Sequence, residues 1–398
     1  MKLVPYSTKR LLIAIAAMVF ISTATVRGQS PQSATSERSA PSQLNMLVLG
    51  DSISWGQGLK DDHKPWRLVK TWLRETTGRD VRERIEAHSG AVVGSAGTPR
   101  TSSTQPLDGE VNRALPSVND QVDDALKFYS DPALVDLVLV DGCINDIDAR
   151  SLLNAAKTPD EIRGLAEAKC GSLVETLLDR INSSFPNAHV IVTGYFPIIS
   201  EKTTNDFLMR ALARTLYAPA ARTPKLSDAQ VRARLVDNSR EWYEASNHWL
   251  KVAAGKVDAR QAAQGSRRRV LFAEVAFLPE HSFRAREARL WGFEASFLRK
   301  LLIVLTLGKV ALKTNDERRS ERNASCKEVF RPPAGETRDE KHNREARLLL
   351  CRIAAIGHPN RKGAVMYAEA ISKQIQFTIS ASGWLRDTTA GTVVNANQ

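Results

Sequence analysis

Short strand-like segments recur along the chain, and several of them are apolar throughout. The predicted strands cover residues 46–49, 81–87, 134–140, 189–193 and 269–277. Short apolar runs are typical of strands buried on both faces, which is the environment of a parallel sheet. Helix-like segments lie between them, and right-handed crossovers would wind such a chain into a doubly wound fold. The sequence therefore predicts an α/β protein, a three-layer α/β/α sandwich with a parallel sheet of about five strands.

The predicted helices alternate with these strands. One begins at Pro65, a favourable first-turn residue, and ends at Gly78. Further helices are predicted within residues 158–183, 228–252 and 362–373. The distance between the fourth strand and the last helix exceeds what one crossover needs. We therefore expect a large, mostly helical insertion or cap within about 200–345. Its apolar run at 301–307 is interpreted as buried core, with a lipid-facing element as the alternative.

The N-terminus has the pattern of a secretory signal. Lys2, Lys9 and Arg10 precede an apolar run at 11–21, and small residues follow at 22–24. This pattern predicts a signal peptide over 1–24, a polar disordered leader over 25–43 and a folded domain over 44–398. The expected location is secreted or periplasmic, with an uncleaved N-terminal anchor as the alternative.

Four cysteines lie in the expected mature chain: Cys143, Cys170, Cys326 and Cys351. Export permits disulfides, and four cysteines allow three pairings. We expect neighbours in sequence to pair, which gives Cys143–Cys170 and Cys326–Cys351. No Cys-x-x-Cys occurs and the histidines are scattered, so no metal site is predicted.

The formal net charge of +12 favours anionic neighbours. No zinc-finger or RNA-binding signature accompanies it, so nucleic acid is not an expected partner. The excess is interpreted as a solvated helical surface, compatible with peripheral contact to an anionic envelope. The sequence leaves the oligomeric state open.

Four motifs lie at the ends of predicted elements. Ser52 stands in Gly-Asp-Ser after the first strand, and Gly90 in His-Ser-Gly after the second. Asn145 stands in Gly-Cys-Ile-Asn-Asp after the third, and His358 in Gly-His-Pro-Asn before the last helix. Active residues of parallel sheets lie in loops at the carboxyl ends of the strands, so these residues are candidates for one site.

In these motifs the sequence resembles the SGNH (GDSL-type) hydrolase family, named for blocks that supply Ser, Gly, Asn and His. Thr-Gly-Tyr-Phe-Pro at 193–197 is also similar. The resemblance covers about 45–200 and 350–375 and implies a flavodoxin-like fold. It implies that Ser52 is the nucleophile and His358 the base. It further implies an oxyanion hole formed by Ser52, Gly90 and Asn145, with no metal or organic cofactor.

The implied reaction is ester hydrolysis through an acyl-enzyme. A serine hydroxyl needs a base to take its proton, and histidine is the neutral-pH candidate. We therefore expect activity to rise with pH through a histidine-like transition. Asp51 is interpreted as positioning the nucleophile loop, and Asp146 as a loop cap or a substrate contact.

The sequence departs from the family at one position. The family places Asp three residues before the histidine, and here that residue is Ala355. Three alternatives follow: a backbone carbonyl holds His358 in a Ser–His dyad, an acid from elsewhere replaces the aspartate, or the protein is a weakly active or non-catalytic binding relative. The substrate expected is an acyl ester of a glycan, with a lipid ester as the alternative.

Overall fold

A five-stranded parallel sheet forms the centre of the fold. The structure is a computed structural model that describes residues 43–94, 116–217, 225–292 and 316–382. The strands are β1 (Gln43–Val48), β2 (Asp80–Ile85), β3 (Leu137–Val140), β4 (His189–Thr193) and β5 (Val270–Ala273). Their order is β2-β1-β3-β4-β5, and every pairing is parallel.

Eleven α-helices are present in the described residues. They are α1 (Ser52–Trp55), α2 (Pro65–Thr77), α3 (Val118–Phe128), α4 (Ala149–Leu152), α5 (Pro159–Ala166), α6 (Val174–Ser184), α7 (Phe207–Leu216), α8 (Asp228–Ala263), α9 (Asp316–Val329), α10 (Arg338–Ala354) and α11 (Arg361–Ser382). A π-helix, Glu167–Leu173, joins α5 to α6.

Helices cover both faces of the sheet. One face packs against α3, α5, α6 and α8, and the other against α2 and α11. Strands β3 and β4 are buried along their whole length, as expected for strands covered on both sides. The predicted three-layer α/β/α sandwich with about five parallel strands is confirmed.

Several boundaries differ from the predictions. Strand β1 begins at Gln43, inside the predicted leader, and β3 and β5 are shorter than predicted. A short 3-10 helix, Pro132–Leu134, occupies the start of the predicted third strand because Pro132 favours a helical first turn. Helices α3, α9 and α10 were not predicted, since their apolar positions are few and α3 depends on a capping box at Ser117.

The segment between β4 and β5 contains part of the sandwich itself. Helix α8 contacts β5, α5 and α6, so it is the crossover that connects two neighbouring parallel strands. All described residues belong to one unit, which spans Ser39–Gln398. The predictions for 1–24, for 25–42 and for the run 301–307 lie outside the described residues.

Both expected disulfides form. Cys143 is bonded to Cys170, and Cys326 to Cys351. The first joins the loop after β3 to the π-helix, and the second joins α9 to α10. Among the described helices, none combines the length and apolar character needed to span a bilayer.

Candidate active site

The nucleophile turn directly follows β1 and is built around Gly50. Gln121 on α3 accepts from the Gly50 amide at 2.7 Å and donates to the Gly50 carbonyl at 2.9 Å. Gly50 has a φ of 126°, and a Cβ there would lie 1.8 Å from Asp141 Oδ1. Only glycine therefore fits this position. The turn delivers Ser52 as the first residue of α1.

Two buried carboxyl groups hold the peptide groups on either side of Ser52. Asp141, directly after β3, accepts from the amides of Asp51 and Ser54 at 2.8 and 3.1 Å. Asp51 accepts from the Ile53 amide at 2.9 Å. Burial, followed by the proximity of Asp141, raises the pKa of Asp51 well above its usual range. Asp51 therefore caps the turn that carries Ser52, which agrees in geometry with the positioning role expected for it.

Ser52 meets His358 although 306 residues separate them in sequence. The Ser52 Oγ lies 2.7 Å from His358 Nε2, within hydrogen-bond reach. His358 follows α10 and precedes α11. The fold thus brings the predicted nucleophile and the predicted base into direct contact.

Main-chain pairing with residues 288–291 holds the histidine loop. The Trp291 amide donates to the His358 carbonyl at 2.8 Å, and the Gly357 amide donates to the Trp291 carbonyl at 2.9 Å. Asn360 extends this pairing, because its amide donates to the Arg289 carbonyl at 2.8 Å. A segment that the family resemblance does not cover therefore sets the position of the predicted base.

The far side of the imidazole has no acidic partner. His358 Nδ1 is buried and makes no hydrogen bond, and no carboxylate among the described residues pairs with the ring. Burial lowers the pKa of His358 to about 4, while the nearby backbone carbonyls of residues 354–356 oppose that shift. Ala355 itself packs with Leu59 and Trp291.

The loops that carry Gly90 and Asn145 are tied to each other. The Asn145 Nδ2 donates to the Ala91 carbonyl at 2.9 Å. Asp146 accepts from the amides of Val93 and Gly94 at 2.9 and 3.1 Å, so it is a loop cap. Gly90 has a φ of 82°, a conformation that favours glycine. Within the described part of the chain, the amides of Ser52 and Gly90 donate no hydrogen bond.

The Asn145 loop is strained at Cys143, which has a φ of 116°. The disulfide to Cys170 and a hydrogen bond from the Ile144 amide to the Tyr195 hydroxyl, at 3.2 Å, hold this loop. The structure therefore places every predicted site residue beyond the carboxyl end of β1, β2 or β3, or in the loop before α11.

Three residues that shape the site had no assigned role in the sequence: Asp141, Tyr195 and Gln121. The first two were detectable, because both directly follow or lie just beyond buried strands, where functional side chains collect. No such position in the sequence indicated Gln121, since it lies on helix α3 and not beyond a strand. Within the described ranges, no three His, Cys, Asp or Glu side chains converge closely enough to ligate a metal ion.

A doubly wound sandwich with a serine and a histidine meeting at its strand ends is the arrangement expected of a hydrolase of the SGNH class. The sequence model of the GDSL-like lipase/acylhydrolase family matches residues 48–255. That is more than half of the chain, and the protein belongs to this family of ester-bond hydrolases. No curated protein sequence matches it.

The solved structures to which the chain is similar include three bacterial enzymes. The extracellular lipase of Streptomyces rimosus is 18% identical, with a TM-score of 0.36, over 62% of this chain and 87% of the lipase. The phospholipase A1 of Streptomyces albidoflavus is 14% identical, with a TM-score of 0.35, over 63% and 87%. A carbohydrate acetylesterase of Sinorhizobium meliloti is 14% identical, with a TM-score of 0.31, over 66% and 99%. Similarity at this level carries no argument about substrate.

Proposed function

We propose that this protein is an exported serine esterase that cleaves carboxylic esters through an acyl-enzyme on Ser52. The observation that carries the proposal is the 2.7 Å contact between Ser52 Oγ and His358 Nε2 at the strand ends. A hydroxyl hydrogen-bonded to a neutral imidazole is the arrangement that nucleophilic catalysis by serine requires.

The reaction proceeds in two balanced steps. His358 Nε2 takes the Ser52 proton as Oγ attacks the ester carbonyl, and the protonated ring then gives that proton to the departing alcohol. Water then attacks the acyl-enzyme, with His358 again taking the proton and passing it to Ser52 Oγ. This step releases the carboxylic acid and restores Ser52. The amides of Ser52 and Gly90 and the Asn145 side chain stabilise the oxyanion, and losing one such donor typically costs ~10²–10³ in turnover.

The dyad works without a triad acid. The backbone carbonyls of residues 354–356 lie near the ring and favour its protonated form, although none of them is hydrogen-bonded to Nδ1. Because no acid among the described residues pairs with the ring, we favour the Ser–His dyad among the three alternatives that Ala355 leaves open. With a pKa of about 4 the ring is neutral at neutral pH, so its Nε2 lone pair is free to accept the Ser52 proton.

Hydrolysis of p-nitrophenyl acetate tests this mechanism. Ser52→Ala and His358→Ala should each lower kcat on the order of 10⁴-fold, because the nucleophile and base act as one unit. Ser183→Ala is the matched control, since the Ser183 hydroxyl bonds only to the Asp179 carbonyl of the preceding helical turn. Turnover that is equal in wild type and Ser52→Ala would instead support a binding protein on this fold.

The proposed substrate is a small acyl ester on an envelope or plant glycan. Ser52 is only 5% exposed, which favours a small acyl group in the nucleophile's immediate surroundings. The net charge of +12 suits an acidic polysaccharide or envelope surface. Release of acetate from acetylated polysaccharides, measured beside release from p-nitrophenyl acetate, tests the glycan assignment.

A lipid ester is the second candidate, and one surface favours it. Leu349 and Ile353 are exposed on α10, the helix that ends four residues before His358. They are one helical turn apart and therefore lie on the same face. A p-nitrophenyl ester series from acetate to palmitate separates the candidates. Highest kcat/KM on long chains, lost in Leu349→Ser with Ile353→Ser, would replace the glycan assignment by the lipid one.

Export rests on the N-terminal pattern at residues 1–24. Expression of the full chain in a bacterium with a working secretory pathway should release a product shortened by about that segment. N-terminal sequencing of the exported product measures the cleavage point. A chain that stays uncleaved at the membrane would indicate an anchor instead.

A further inference from the structure

Two aspartates and a tyrosine form a buried network behind Ser52. Asp51 and Asp141 are 0% and 1% exposed, and Tyr195 is fully buried as well. Their side chains come from three loops, after β1, β3 and β4. The catalytic steps proposed above use none of the three, although each lies within hydrogen-bond reach of another group in the site.

The hydrogen-bond donors around the two carboxyl groups indicate which one is ionised and which one is protonated. Both oxygens of Asp141 accept amide hydrogens, from Asp51 at 2.8 Å and Ser54 at 3.1 Å. Asp141 is therefore suited to be the ionised partner, because an amide N–H donates best to a carboxylate. Asp51 lies beside it, because its own amide is one of those two donors, and two carboxyl groups this deeply buried side by side cannot both be ionised without a compensating charge.

Tyr195 connects this pair to the oxyanion loop. Its hydroxyl oxygen accepts from the Ile144 amide at 3.2 Å, and the hydroxyl hydrogen goes to Asp51 Oδ2 at 3.1 Å. Ile144 precedes Asn145 directly. One continuous hydrogen-bonded chain thus runs from the turn that carries Ser52 to the loop that carries Asn145.

The surroundings of the pair contain no compensating cation. Neither carboxyl group forms an ion pair with a Lys, Arg or His among the described residues. The titratable groups that face the pair are Tyr195 and, from α11, Tyr367, whose hydroxyl donates to the Gly194 carbonyl at 2.8 Å. Two buried negative charges would therefore repel without relief.

We propose that Asp51 and Asp141 share a single proton, carried by Asp51, and that this proton, together with Tyr195, positions Ser52 and Asn145 relative to each other. The three are positioning residues, since they act through the serine turn and the oxyanion loop. The catalytic part of this inference rests on the proposed esterase function. The shared proton does not, and it is measurable in a protein with no activity.

The pKa of Asp51 supports this assignment. Burial first, and Asp141 second, raise it well above the usual range, so the folded protein keeps a proton that the unfolded chain loses. Stability must then fall as pH rises above the ordinary aspartate pKa near 4, up to the raised pKa in the fold. Over that window the unfolding equilibrium constant changes by up to about tenfold per pH unit.

Two isosteric variants give different results under this proposal. Asp51→Asn keeps a donor toward Asp141 and an acceptor for Ile53 and loses only the acceptor for the Tyr195 hydroxyl, so kcat should fall about tenfold, as in Tyr195→Phe. Asp141→Asn offers one oxygen to two amide donors, so the serine turn should shift and kcat should fall on the order of 10²-fold with KM little changed. Tyr195→Phe removes the bridge alone and should lower kcat about tenfold.

Urea unfolding from pH 5 to 9 measures the free energy of unfolding, whose pH dependence reports the bound proton. Wild type should lose stability relative to Asp51→Asn as pH rises, and its kcat should show an alkaline decline that Asp51→Asn lacks. Parallel stability curves for the two proteins would overturn the shared proton, as would equal losses of kcat in Asp51→Asn and Asp141→Asn.

If Asp141→Asn does not fold, the pH dependence of the free energy of unfolding in wild type and in Asp51→Asn still shows whether the aspartates share a proton. If Ser52→Ala retains full hydrolysis, the esterase mechanism fails, while the urea curves continue to test the proton between the aspartates. An unchanged kcat in Tyr195→Phe would remove the link to the oxyanion loop alone.

Discussion

The two halves of the dyad are positioned by different chemistry. On the nucleophile side, the buried side chains of Gln121 and Asp141 accept hydrogen bonds from the main-chain amides around Ser52. On the base side, His358 is held by main-chain pairing with Trp291, and its neighbour Ala355 is packed in an apolar cluster. Buried polar groups thus position Ser52, whereas main-chain hydrogen bonds and apolar packing position His358.

This difference explains the ionisation of both sides. A buried carboxyl pair holds a proton, because two unpaired charges are too costly in an apolar interior. A buried imidazole without an acid loses its proton for the same reason, and burial lowers the pKa of His358 to about 4. Desolvation therefore favours the neutral form of Asp51 and of His358, which is the state each needs for the proposed mechanism.

The largest expected effect comes from placing an acid on the base side. Ala355→Asp puts a carboxylate among Leu59 and Trp291, and a Cβ on Gly58 would already lie 2.5 Å from the Ala355 Cβ. Burial of an uncompensated charge should lower the free energy of unfolding by about 3 kcal/mol or more. Any pairing with His358 should raise the pKa of its ring above about 4.

Urea unfolding and the acid limb of kcat/KM measure these two effects. Ala355→Asn is the matched control, because it has the same size without the charge and should destabilise without moving the acid limb. An acid limb that is unchanged in Ala355→Asp would mean that side chains at this position do not reach the imidazole.

The two disulfides provide a second test of the difference between the Ser52 side and the His358 side. They span similar separations, 27 residues for Cys143–Cys170 and 25 for Cys326–Cys351. Chain entropy predicts a similar loss for replacing either pair by serine, about 3 kcal/mol. Loss of Cys143–Cys170 should in addition lower kcat about tenfold, because it frees the strained loop that precedes Asn145.

Replacing Cys326 and Cys351 should leave kcat near the wild-type value, since the pairing with Trp291 still holds the histidine loop. Thermal unfolding and p-nitrophenyl acetate turnover, each at a temperature where both variants are folded, separate stability from activity. Equal losses of kcat in both double variants would show that the base side depends on its disulfide as well.

The smallest effect is the acidic pH dependence. The sequence predicts a rise in activity through an ordinary histidine transition, and the structure moves that transition to about 4 because His358 is buried. The value of kcat/KM should be level from about pH 5.5 to neutrality and fall tenfold per unit below pH 4. An inflection near the ordinary histidine value of about 6.5 would indicate a solvated ring.

The sequence predicted most of the sheet and the identity of the central site residues. Strand β4 was predicted with its exact ends, because an apolar run bounded by polar residues leaves little freedom. Ser52 and His358 were found for a similar reason: their motifs are local, and each lies at the end of an element. Helices α9 and α10 were missed because their sequences are strongly polar and their apolar contacts come from each other.

Local sequence by itself determined the strands and the candidate residues for attack and for proton acceptance. Only the tertiary structure decided how those residues are held and which protonation state they take. Residues 288–291 clamp the histidine loop from a distant part of the chain, and Asp141 meets Asp51 across two neighbouring strands. Both outcomes depend on burial and on pairing between segments far apart in sequence, and desolvation acts only once those segments have packed.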